Sequence, residues 1–111
     1  MITYIELWKA KQAWIDLSKE ERGNYMGSLG PAIQHLLDSG VQIVSWGTND
    51  ADTFSKCPYD YFAVWTFSNT ESARDFEKMV EGAGWYTYFD QVNLRGTAGS
   101  PQDVIANMIE L

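Results

Sequence analysis

The sequence is short of cysteine, histidine and positive charge, and each shortage removes a class of function. Cys57 is the only cysteine, so no internal disulfide can form and a reducing, cytoplasmic setting is expected. Lys56 and Pro58 on either side of it read as loop, and a chain with one histidine offers a thiol nucleophile little choice of base. No His pair or Cys pair stands at metal-ligand spacing, so neither a metal nor another cofactor is expected. NDADT at 49–53 lacks the later Gly and Glu of a calcium loop and reads as a solvated turn. The glycines form no GxGxxG or phosphate loop, and GSLG at 27–30 is not followed by Lys and Ser. Lys and Arg number 8 against 15 Asp and Glu, a net charge of −7. That field repels nucleic acid and anionic membranes. No apolar run approaches the ~20 residues of a membrane helix, and MITYIELWK does not read as a signal peptide.

Aromatic residues are abundant instead. They make up 14% of the 111 residues, with five Trp. Rings bring large buried area and flat stacking surfaces, which suits a dense core or a cleft for flat ligands.

The stretch YDYFAVWTF, 59–67, alternates like a strand but is apolar on both faces. Tyr59, Tyr61, Ala63, Trp65 and Phe67 point one way, and Phe62 and Val64 the other. Strands are also read at 2–9, 41–49 and 88–96. Between the first two, Ser18 and Glu21 form a capping box that opens a helix. Gly30–Pro31 predicts a break in it, and Gly40 a C-terminal cap. A second helix carries Ala73, Phe76, Met79, Val80 and Ala83 as one stripe, with Ser68 and Glu71 as a second box. GAGW ends that helix. Ser100 and Pro101 open a terminal helix over about 101–110. The order β-α-β-β-α-β is the ferredoxin-like α+β pattern, with a four-stranded antiparallel sheet and central first and third strands. The chain reads as one domain, 1–111, with its core in 2–96.

Two helices cover one face of such a sheet. The aliphatic face, with Ile5, Leu7, Phe62, Val64, Val92 and Leu94, is expected beneath them. The aromatic face would carry Tyr4, Glu6, Trp8, Val44, Trp46, Tyr59, Tyr61, Trp65, Gln91, Asn93 and Arg95. It is too large to leave in water, so a second copy is expected to cover it and make a homodimer. The terminal helix is a rival cover, though small for four strands.

Paired ferredoxin-like sheets resemble the dimeric α+β barrel superfamily. ELWKAKQAW, YFAVWTF and GWYTYFDQVNLRG also resemble a small bacterial family of unassigned function within it. The wider group includes cofactor-independent oxygenases of phenols, polyketide cyclases, lactone isomerases and haem enzymes. Their sites lie between helices and sheet or inside the barrel. Phenol-oxygenating members use Trp, Tyr, Asn and Arg there, and Trp65 and Arg95 match in kind. A haem would require His35 as its ligand, and no other residue supports one; beside its apolar stripe, His35 otherwise reads as a surface residue.

Polar groups among aromatic walls are the composition of a small-molecule pocket. Glu6 and Arg95 are the candidate catalytic pair: a buried Glu6 moves a proton, and Arg95 with Asn93 steadies an oxygen anion. Trp8, Trp46, Tyr61 and Trp65 would position a flat aromatic or polyketide-like ligand. The competing reading keeps the same residues without a ligand. Glu6 and Arg95 then form an ion pair, and the rings pack a non-catalytic dimer core.

Overall fold

A computed structural model describes all 111 residues. Four strands form one antiparallel sheet: β1 (Ile2–Ala10), β2 (Gln42–Thr48), β3 (Tyr61–Phe67) and β4 (Phe89–Thr97), in the order β2-β3-β1-β4. β3 and β1 are central, as the ferredoxin-like pattern requires. Six helices connect and flank them: α1 (Gln12–Ile15), α2 (Lys19–Ser28), α3 (Gly30–Asp38), α4 (Thr70–Gly82), α5 (Trp85–Tyr88) and α6 (Pro101–Ile109). None is long and apolar enough to cross a membrane.

The punctuation follows local chemistry. Ser18 accepts from the Glu21 amide, and Glu21 accepts from the Ser18 amide in return. The helical run breaks at Leu29, and Pro31 sits in the first turn of α3. Gly40 closes it with φ 97°, a conformation that favours glycine. Asn69, rather than Ser68, caps α4, by accepting from the Ser72 amide. GAGW does more than stop that helix. Gly84, at φ 76°, reverses the chain, and Trp85–Tyr88 make a further helical turn before β4.

The helices cover the opposite face from the one expected. Tyr4, Glu6, Trp8, Ala63, Trp65 and Phe67 are all buried, packed beneath Ala73 and Phe76 of α4 and Leu36 of α3. Phe76 meets the rings of Tyr4, Trp65 and Phe67 at 5.0–5.4 Å. The aliphatic face lies open, with Val92 and Leu94 43% and 57% exposed. Volume explains the reversal. The inward side chains of α3 and α4 include small ones, Ala32 and Ala73. Sheet rings burying 150–250 Å² each, in round figures, fill the space that small helix residues leave.

On β2, Ile43 pairs with Trp65, but Ser45 pairs with Val64. One extra residue there shifts the register, and Val44 is the residue left without a partner. Val44 is 61% exposed. Gly47 pairs with Phe62, whose ring lies so close that a Cβ at 47 would fall 2.7 Å from it.

α6 covers neither face. Ser100 caps it, yet every residue from 101 to 111 is exposed. The chain's radius of gyration is 16.1 Å, against roughly 13 Å for a compact chain of about 100 residues.

Phe67, fully buried between Tyr4 and Phe76, reports the inner core. Phe67→Ala should cost about 3–5 kcal/mol in urea unfolding. A loss below about 1 kcal/mol, the size expected at an exposed position, would contradict this packing.

Candidate functional site

Glu6 is the only charged residue in the core, 6% exposed. The pleat of the central strand β1 turns it inward between Tyr4 and Trp8. Trp65 Nε1 on β3 donates to Oε1 at 2.7 Å, and Gln91 Nε2 on β4 donates to Oε2 at 2.7 Å. Burial pushes the Glu6 pKa up, and these two donors only partly offset it. Gln91 is held in turn: its Oε1 accepts from Trp85 Nε1 at 2.7 Å. Gln91 Nε2 also donates to Asn93 Oδ1 at 2.7 Å, and Asn93 Nδ2 donates to the Tyr86 hydroxyl at 3.1 Å.

Glu6 lines a cleft between sheet and helices, with an empty volume of about 540 Å³ measured out to its mouth. Trp8, Trp46 and Trp65 form the sheet side. Ala32 and Ile33 of α3 and Met79 and Val80 of α4 form the helix side, and Trp85 closes the wall. Glu6 is its one lining residue that is not hydrophobic. Outward, the cleft continues past Trp14, Met26 and Tyr61. The indoles meet at steep angles: Trp8 and Trp85 at 72°, Trp8 and Trp46 at 75°, Trp46 and Trp65 at 71°. Tyr61 stacks on Trp8 with centroids 5.9 Å apart.

Glu6, Trp8, Trp46 and Trp65 therefore gather as the sequence suggests, with Tyr61 at the outer part. They do so within one chain rather than between two. Asn93 reaches Glu6 only through Gln91. Arg95 does not pair with Glu6. It forms a salt bridge with Glu77 of α4, which also accepts from the Tyr4 hydroxyl at 3.1 Å. Burial first, then the Glu77 carboxylate, push the Tyr4 pKa well above the usual tyrosine range, so Tyr4 stays a neutral donor. His35 is exposed on α3. Cys57 is half-buried in the loop before β3, where its Sγ lies 3.5 Å from Asn49 Nδ2. No group of metal-ligating side chains gathers anywhere.

Trp85 is the site residue that sequence reading misses, because its segment reads as a helix terminator. The signal was available: a tryptophan directly after a Gly-Ala-Gly break and directly before Tyr86.

The fold recurs in solved structures. The crystal structure of the Arabidopsis thaliana protein At3g17210 matches with a TM-score of 0.62 at 13% identity, over 90% of this chain and 97% of that one. A dimeric protein of unknown function and ferredoxin-like fold from Bacteroides fragilis matches with a TM-score of 0.54 at 18% identity, over 87% and 95%. Identities this low establish the shared fold alone. No curated protein matches the chain. A family model matches residues 1–111 from end to end, and the chain therefore belongs to the family described as "Family of unknown function (DUF6616)".

Proposed function

We propose that the protein binds a flat, predominantly apolar small molecule in the cleft between its sheet and its helices, with Glu6 as the proton-exchanging group. The observation that carries this reading is a tryptophan-walled cleft with one carboxylate in it. Small-molecule sites have this make-up: apolar walls and few fixed polar groups. The chemistry such a cleft adds to binding is one proton transfer, in which a Glu6 carboxylate takes a proton from an acidic ligand O–H or N–H and later returns it. A second polar group to steady an oxygen anion is lacking, since Arg95 is tied to Glu77 and Asn93 does not line the space. Binding is accordingly favoured over an oxygenase, cyclase or isomerase reaction on a polyketide-like substrate.

We also propose a homodimer, formed through the aliphatic outer face. The support is the uncovered pair Val92 and Leu94, together with the dimeric state of the Bacteroides fragilis protein. Sheet faces of this kind pack on one another about 10 Å apart.

A thermal-shift screen with flat aromatic compounds tests the cleft. A ligand at a hundred times its Kd adds about 2.7 kcal/mol to stability. Trp46 is 48% exposed, so Trp46→Ala should leave the unliganded melting point within a few degrees while removing most of the ligand's shift. A full shift retained in that variant would place binding elsewhere.

Glu6 makes a signed prediction. Its folded pKa is raised, so its contribution to stability is fully present below the unfolded pKa and is lost as pH rises through the folded one. Relative to Glu6→Gln, wild type should lose stability over the pH interval that runs upward from the ordinary carboxylate range, read in urea titrations. A relative gain over that interval would mean that the Trp65 and Gln91 hydrogen bonds outweigh burial.

For the dimer, light scattering should report twice 12.6 kDa at micromolar concentration, and Leu94→Arg should halve the particle mass. A wild-type monomer would refute the proposed homodimer.

A further inference from the structure

We infer that the cleft is a cage for an organic cation: a flat ring carrying a quaternary or protonated nitrogen, with the Glu6 carboxylate as its counter-ion. This rests on the binding reading above and narrows its ligand class.

The first support is an acid without a cation. Buried carboxylates are normally paired. The two ion pairs of the chain are Lys9–Asp90 and Arg95–Glu77, and neither involves Glu6. Two further cations are committed to backbone oxygens. Arg22 donates to the carbonyls of Trp14 and Ile15, and Lys11 donates to that of Tyr86. Glu6 holds two neutral donors, one on each oxygen. Each oxygen keeps a further lone-pair direction, since an ionised carboxylate has about four acceptor sites.

The second support is the wall. Trp85, Trp8, Trp46 and Trp65 form a chain of indoles with centroids 5.6–6.0 Å apart and successive planes 71–75° from one another. Neighbouring rings touch edge to face, and all four line the cleft together with Glu6. Indole is the strongest of the protein π-faces for a cation, and aromatic boxes are the usual means of holding quaternary ammonium groups. Such a group needs no hydrogen bond, and the lining offers none apart from Glu6. Anions are disfavoured for the converse reason: the inner cleft has no cationic lining residue. The net charge of −7 further raises the local concentration of cations.

The test uses three flat probes of similar size on the full chain at low salt: N-methylquinolinium, 1-methylnaphthalene and 1-naphthoate, followed by calorimetry and thermal shift. The cation should bind at least about tenfold tighter than its neutral isostere, and the naphthoate should give no shift. Glu6→Gln should cost the cation about tenfold or more and leave the neutral isostere within about twofold. That second number doubles as the check that the variant is folded. Should Glu6→Gln not fold, the wild-type ratio of cation to neutral isostere decides alone, and Trp46→Ala should weaken both probes. A neutral isostere that binds as tightly as the cation overturns the cation inference and leaves the cleft reading standing. Failure of all three probes to bind overturns both.

Discussion

The hydrogen bond from the Trp65 indole to Glu6 organises the interior. Indole N–H groups only donate, and two of them, on Trp65 and Trp85, lie in this layer. Both need acceptors that an apolar core does not supply. Glu6 serves Trp65 directly. It serves Trp85 through Gln91, whose carbonyl accepts from Trp85 while its amide nitrogen donates onward to Glu6. The polarity of the chain is thereby fixed. Reversing the Gln91 amide would set two donors against each other at Trp85 and leave Glu6 facing an oxygen. One carboxylate on the central strand thus ends two donor chains and links β1, β3 and β4 on their inner side. No buried side-chain polar atom lacks a partner, which is the condition for such a network to hold.

The cleft exists because the two layers supply unequal volume. The sheet contributes Trp8, Trp46 and Trp65, and the helices oppose them with Ala32, Ile33, Met79, Val80 and Ala83. Where α4 supplies Phe76, rings meet and the core closes. Where α3 supplies alanine and isoleucine above Trp46, it does not close, and Trp46 remains 48% exposed. The space is a consequence of side-chain size along the two helices, not of a distorted backbone.

How much of this was legible follows from what alternation encodes. The Ser18, Gly40 and Ser100 caps and the grouping of Tyr4, Glu6, Trp8 and Trp65 on one face are local patterns and read directly. Strand order follows from the order of elements, and the cap of α4 falls one residue later than read, at Asn69. Which side of the sheet the helices choose is not local. With both faces apolar, parity names the companions of Trp65 but not their cover. The bulge on β2 is invisible for the same reason, since Val44 and Trp46 differ by two positions whether or not an extra residue intervenes. Arg95 pairs across the sheet with Tyr4, on the face of Glu6 but one step along it. Its long side chain finds Glu77 on α4, a partner that only the packing of helix on sheet reveals. Gln91 reaches Glu6 although Asn93 stands directly opposite it in register, because the longer amide spans the diagonal that asparagine does not.

The reversal of the faces changes what a second copy would do. With rings outward, two chains would share one site, and dilution would destroy it. With rings inward, each chain carries its own four indoles and its own carboxylate. Association through Val92 and Leu94 would then cover the opposite side of the sheet, with the mouth near Tyr61 and Trp14 left to solvent. Pairing and ligand binding become separable on such a sheet: one draws on aliphatic area, the other on ring faces and a charge, and a strand only one residue thick keeps them apart.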